Sequence, residues 1–191
     1  AGVASLRGGG VAVRDASGVT ISDLLVLDGR APLGAGVAWT NSAGSLSDLI
    51  VRRGIGEEGA GVLVDGGSFA LQDGVFGENA ASVAGGGLSA RSDAALVDVD
   101  LLDNTAPVGA GAHVGGGTLS LTDGAVWRNA GSAGAIHVVG SVVGSGVWFG
   151  EGGDANLPAD VTAQGGASYV FGAGSDFVCG GDGSGGDPGC H

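Results

Sequence analysis

Residues 85–106 read GGGLSARSDAALVDVDLLDNTA, and this stretch decides the fold. Three glycines open it, the apolar run at residues 94–97 follows, Asp98-Val99-Asp100-Leu101 then alternates polar and apolar, and the pair Asp103-Asn104 punctuates the end. Strict period-two alternation between turn residues is a strand signal, and no apolar stripe at helical spacing runs long enough for a helix. The same pattern recurs on both sides. Ile21, Leu46, Leu71, Leu96 and Leu121 follow one another at steps of 25, as do Asp23, Asp48, Asp73, Asp98 and Asp123, and Val26, Val51, Phe76, Leu101 and Val126. A looser column of glycines closes each Gly-x-Gly-like start, at Gly10, Gly36, Gly61, Gly87, Gly111 and Gly134. Gly29, Gly54, Asn79, Asn104 and Asn129 form a further column, made only of the two residue types that accept left-handed backbone at little cost, and it reads as a turn.

One unit, residues 109–131, holds three short strands separated by a Gly-rich turn and an Asp turn, and it ends on an Arg-Asn turn. A unit this small cannot bury its apolar face alone, whereas units stacked at ~4.8 Å per coil share one continuous interior. The sequence therefore predicts an all-β parallel solenoid (β-helix) of about six to seven coils of roughly 25 residues, spanning residues 1–151, with an irregular C-terminal cap over residues 152–191. The 44 glycines and 4 prolines of the 191-residue chain, which without a period would suggest a disordered segment, are accounted for by the repeat.

These units, above all residues 85–106, resemble those of right-handed parallel β-helix proteins, closest to the polymorphic-outer-membrane-protein-like and pectate-lyase-like repeats of secreted or surface bacterial proteins. The likeness covers roughly residues 8–150 and extends more loosely to the tail from Asn156 to Cys190. It implies right-handed coils and ladders of stacked polar residues at the turns, here Asp23, Asp48, Asp73, Asp98 and Asp123 and Asn79, Asn104 and Asn129.

Charge narrows the partners. Twenty acidic residues face seven basic ones, all arginine, for a net charge of −13, so the field repels nucleic-acid phosphates and anionic lipid. Residues 129–150, the longest stretch without a formal charge, contain His137 and are broken by glycine and serine, which excludes a spanning helix. No charged and apolar leader precedes Ala1, which fits either a matured secreted chain or one that carries no signal. Cys179 and Cys190 are the only cysteines; the spacing fits a terminal disulfide and with it an oxidising compartment, so the expected location is extracellular or the cell surface. Cys190-His191 after Cys179 is too widely spaced for a haem-attachment motif.

Residues able to carry chemistry are few. The five stacked aspartates read as Asx turns accepting main-chain N–H bonds, with Ca²⁺ between coils as the sharper alternative on Asp73, Asp98 and Asp123. Asp182 and Asp187 are further Ca²⁺ candidates, in a near miss to the G-G-x-G-x-D nonapeptide. Asp98, Asp100 and Asp103 cluster locally, and the related enzymes use clustered Asp or an Arg base, but Asp103 falls in a column with Asp28, Arg53, Glu78 and Arg128 that reads as solvated. His113 and His137 fall one coil apart without a third metal ligand. Alternation after each repeat glycine points Val11, Val37, Val62 and Leu88 inward and Ala12, Ala38, Leu63, Ser89, His113 and Ile136 outward, the outward row offering a lateral contact face.

The expected function is a non-enzymatic extracellular structural or adhesive solenoid that adds head-to-tail to its own kind or to another surface protein or polysaccharide, because solenoid ends expose unpaired strand edges. The expectation includes no catalytic residues and no cofactor other than Ca²⁺, no nucleic acid and no membrane insertion. The alternative is a polysaccharide-binding module, or a lyase or hydrolase, on the same scaffold.

Overall fold

In the computed structural model Ile21 pairs with Leu46, Leu46 with Leu71, Leu71 with Leu96 and Leu96 with Leu121, each on a neighbouring parallel strand. The 25-residue step is thus one turn of a parallel β-solenoid of about six turns. The structure describes residues 2–172, residue 175 and the backbone of residues 179–180. The proposed Cys179–Cys190 bridge and the Ca²⁺ candidates Asp182 and Asp187 therefore lie outside the described residues.

Each coil contains four extended runs rather than three. In the third coil they are residues 62–65, 68–72 and 74–77, all within the strand Val62–Gly77, and then Ala80–Ala84. The fourth run is hard to see in sequence because it is ladder-paired only between Ile55–Glu58 and Ala80–Ala84 and elsewhere thins to single bridges such as Thr105 with Ala130 and Val108 with Ala133. Stacking also continues past residue 151. Val161–Ala163 pairs with Ile136–Val138, and Ser168–Phe171 pairs with Ser141–Ser145.

The inward columns make one continuous core that includes Val37, Leu49, Val51, Leu71, Phe76 and Leu101. Trp39 is completely buried and meets Phe69 edge-on at 5.5 Å, and its Nε1 donates to the carbonyl oxygens of Ser42 (2.9 Å) and Ser68 (3.1 Å). The indole's one polar atom is thus satisfied inside the apolar column, as burial requires.

Left-handed backbone falls elsewhere than the sequence suggests. Asp23, Asp48, Asp73, Asp98 and Asp123 all have φ between 50° and 58°, and so do Asp28, Arg53, Glu78, Asp103 and Arg128, at 51–58°. The chain turns at these two columns. The Asn column one residue later is not left-handed; its side chains point inward and Asn79, Asn104 and Asn129 are fully buried. Each Oδ1 accepts the main-chain N–H one coil below, Asn79 from Gly54 (2.8 Å), Asn104 from Asn79 (3.0 Å) and Asn129 from Asn104 (3.1 Å). Each Nδ2 donates upward to the next Oδ1, at 3.0 Å for both Asn79–Asn104 and Asn104–Asn129. Asn156, unmarked in sequence because it lies 27 residues after Asn129, extends the ladder by a further coil.

Candidate functional site

The first run of every coil stacks into one outer face, and its outward column is Ala12, Ala38, Leu63, Ser89, His113, His137 and Thr162. Ile136 does not belong to it: that residue pairs with Ala112 and Val161 and is fully buried in the core. The alternation slips because the corner before it is one residue shorter. Val108 bridges to Ala133 while Ala112 pairs with Ile136, so Gly134 (φ 56°) takes the left-handed corner and Ala135, not Gly134, occupies the column of Gly111.

This outward column is not an open lateral face. Ala38, Leu63 and Ser89 are at most 1% exposed, although they point away from the core. Corner residues such as Gly59, at φ 57°, fold the preceding run back over the column, and a Cβ on Gly59 would lie 3.0 Å from the Cα of Leu63. A concave groove results.

Its polar groups come from several coils. Ser89 Oγ donates to Glu58 Oε1 (2.7 Å), Arg91 Nε donates to the same oxygen (3.0 Å), and Arg91 Nη2 pairs with Glu58 Oε2. Arg91 Nη1 also lies 3.6 Å from Asp65, whose carboxylate accepts from Arg7 Nη1 at 2.7 Å. Burial works to raise the Glu58 carboxyl, but the hydrogen bonds from Arg91 and Ser89 outweigh it and hold Glu58 below the usual carboxylate range. His113 and His137 stack one coil apart, centroids 5.5 Å and planes 14° apart. His137 Nδ1 lies 3.0 Å from Thr162 Oγ1, whereas His113 Nδ1 is buried without a partner. Sequence alone singled out the histidines but missed Glu58, Asp65 and Arg91, which carry no motif and meet only through the concave cross-section.

Chemically, these groups are committed to one another. Ser89 is fully buried and its proton is directed at Glu58, and Glu58 is held by a guanidinium, so neither presents a free nucleophile or base. Asp98, Asp100 and Asp103 do not converge either. Asp100 Oδ1 accepts the N–H of Ala125 (3.2 Å), Asp103 is forked by Arg128 Nε and Nη2 (2.7 Å each), and Asp98 points to solvent at its corner. The five corner aspartates are exposed and, among the described residues, make no side-chain hydrogen bonds, so what they supply is left-handed backbone rather than Asx caps. The column of Asp28, Arg53, Glu78, Asp103 and Arg128 is paired rather than merely solvated, through Arg53–Asp28 (2.7 Å) and Arg128–Asp103. Among the described residues no three His, Cys, Asp or Glu side chains converge as metal ligands, the column of Asp73, Asp98 and Asp123 included.

Burial holds both imidazoles below the ordinary histidine range; at His113 the neighbouring His137 and Arg91 add to this and Glu58 opposes it. An unfolded histidine titrates near pH 6.5, so below about that value the unfolded chain binds more protons than the folded one. Stability is then full above about pH 7 and falls as the pH drops through about 6. The carboxylates held low by arginine, Asp28, Glu58 and Asp103, lose their contribution only further down, in the carboxylate range. Asp100, raised by burial, has the opposite sign there, losing its contribution as the pH rises. The urea midpoint is expected to decline between about pH 7.5 and about pH 5.5 in the native chain and to decline less in His113→Gln. Equal slopes in the two proteins would remove the stacked pair as the cause.

No protein-family model, no curated protein and no solved structure matches this chain at significant similarity.

Proposed function

We propose that this chain is a non-enzymatic structural or adhesive β-solenoid, secreted or displayed at the cell surface, of the kind found in polymorphic-outer-membrane-protein-like and pectate-lyase-like repeat proteins. The observation that carries the reading is how the charges are used. Arg7, Arg52, Arg53, Arg91 and Arg128, five of the seven arginines, each bridge to a carboxylate at least 25 residues away, which is one coil or more. The chain's cationic chemistry is thus directed at holding coil on coil. The spacing of Cys179 and Cys190 supports an oxidising location. The partner in this reading is a further solenoid end, another surface protein or a polysaccharide, because the end strand of a parallel solenoid carries unpaired main-chain groups along its edge. An edge of that kind accepts an added strand.

A second reading, a polysaccharide-binding or polysaccharide-cleaving groove, is favoured by the polar row of Glu58, Arg91, His113 and His137 along a concavity. Electron microscopy of the purified chain, run beside an assay for unsaturated or reducing ends released from acidic and neutral polysaccharides, separates the two. The structural reading expects rods that join end to end and no product. Product formation that is lost in Glu58→Gln would overturn it.

A further inference from the structure

The second run of each coil, residues 17–22, 43–47, 68–72, 93–97, 118–122, 141–145 and 168–171, builds a parallel sheet seven strands wide. Its inner side is core: Phe69, Leu71, Ala94, Leu96, Leu119 and Leu121 are all nearly or completely buried. Among the described residues nothing covers its outer side. One outward row is Thr20, Ser45, Ala70, Ala95, Ser120 and Val143, and most of it is exposed. The next is Ser22, Ser47, Gln72, Val97, Thr122 and Ser145. In a chain of net charge −13, the sole charged group among the described outward residues of these strands is Asp93, in a rim row, and its Oδ1 already accepts the N–H of Thr118 at 2.9 Å; Asp23, Asp48, Asp73, Asp98 and Asp123 stand at the corner beyond the second row.

We infer that this uncharged sheet face is a lateral interface that takes a second copy of the same chain, side by side and face to face. Three observations select that occupant. The first is electrostatic: the strands of this face carry one formal charge in a molecule of −13, and the exposed Asp23, Asp48, Asp73, Asp98 and Asp123 line only its edge, so two copies that meet over the uncharged rows bring few charges together. The second is shape. Small residues Ser45, Ala70 and Ala95 floor shallow troughs of about 340 and 310 Å³, bordered by the taller Gln72 and Val97 on one side and by Asp93 and Thr118 on the other. A second copy presents the same ridges at the same coil rise of ~4.8 Å, so ridge meets trough at every coil, as in paired sheets that interdigitate about 10 Å apart. The third is area. Seven strands at ~4.8 Å by five residues at ~3.3 Å give roughly 500 Å² on each copy, about 1,000 Å² in total, the lower edge of what a specific interface buries. The contact is therefore a weak, reversible and isologous dimer. This association is distinct from the end-on addition proposed above and does not rest on it.

Small-angle scattering with sedimentation velocity on the full chain, from about 10 μM to about 1 mM, tests the inference. The expected result is a concentration-dependent dimer whose cross-sectional radius of gyration grows while its length hardly changes. Ala95→Arg, which places an unpaired cation at the centre of the face, is expected to raise the dissociation constant at least tenfold with the thermal midpoint unchanged. Val143→Lys, nearer the rim, is a second variant should Ala95→Arg fail to fold, and a rise in its dissociation constant supports the same conclusion. A monomer at every concentration, growth in length at constant cross-section, or a dimer indifferent to both substitutions would each overturn the lateral interface. Growth in length alone would still support end-on stacking, so the two proposals fail separately.

Discussion

Asn104→Leu is expected to lower the free energy of unfolding by about 3–5 kcal/mol, with the slope of the urea transition unchanged. Leucine nearly matches asparagine in size, so the loss comes from hydrogen bonds. Asn104 Oδ1 is the acceptor for the Asn79 main-chain N–H and for Asn79 Nδ2, both at 3.0 Å. Its own Nδ2 serves the Phe76 carbonyl (2.8 Å) and Asn129 Oδ1. The substitution orphans the Asn79 N–H outright in a site that is completely buried, and it strips one partner each from Asn79 Nδ2, Phe76 O and Asn129 Oδ1. A buried donor left without a partner costs about 1–3 kcal/mol, and the partly deprived groups add to that. The damage is also cooperative, because each amide polarises the next along the stack. A loss under about 1 kcal/mol by urea denaturation would mean that the stacked amides are not what ties coil to coil.

That ladder also shows how far the sequence could be read. The column of Gly29, Gly54, Asn79, Asn104 and Asn129 is plain in the repeat, but the reason for it is not. Asparagine and glycine share a tolerance for left-handed backbone, and that common property hid the inward amide stack. The residues that do turn left-handed stand one place earlier and include Arg53, Glu78 and Arg128, types for which positive φ is uncommon. The ion pairs Arg53–Asp28 and Arg128–Asp103 offset part of that strain, and pairing between side chains one coil apart has no signature in composition. The strands and the core column through Leu46 and Leu71 were legible because they depend on local alternation and one fixed step. The groove was not, because Glu58 and Arg91 are 33 residues apart and meet only where the coil's cross-section bends inward. At the sixth coil a single missing corner residue reverses the side chains of the run that follows, which put Ile136 in the core and His137 in the groove.

The glycine column makes the sharpest quantitative demand, because its members differ in how close the next coil approaches. A Cβ on Gly87 would lie 2.6 Å from the carbonyl oxygen of Gly111 and 3.0 Å from Asn104 Nδ2, and neither is a flexible tip that can swing away. A Cβ on Gly111 would lie 3.2 Å from the oxygen of Ala135 and 3.2 Å from Asn129 Nδ2. One coil further, the column holds an alanine, Ala135, completely buried and accommodated. Neither Gly87 nor Gly111 has a positive φ, so conformational strain does not enter and the contrast is steric. Gly87→Ala forces two coils apart at the point where the corner packs on the amide ladder, and it is expected to destabilise by about 2–3 kcal/mol, the scale of overpacking in a close-packed interior. Gly111→Ala needs a shift of only a few tenths of an ångström. Its lost unfolded-state entropy favours folding by about 0.4–1 kcal/mol, so the net change is expected to fall within about 1 kcal/mol of zero. The column thus stays glycine where the coils stand closest and admits a methyl group where they separate. Equal losses for the two alanine variants in urea denaturation would show that backbone freedom, and not the approach of the next coil, keeps glycine in the column.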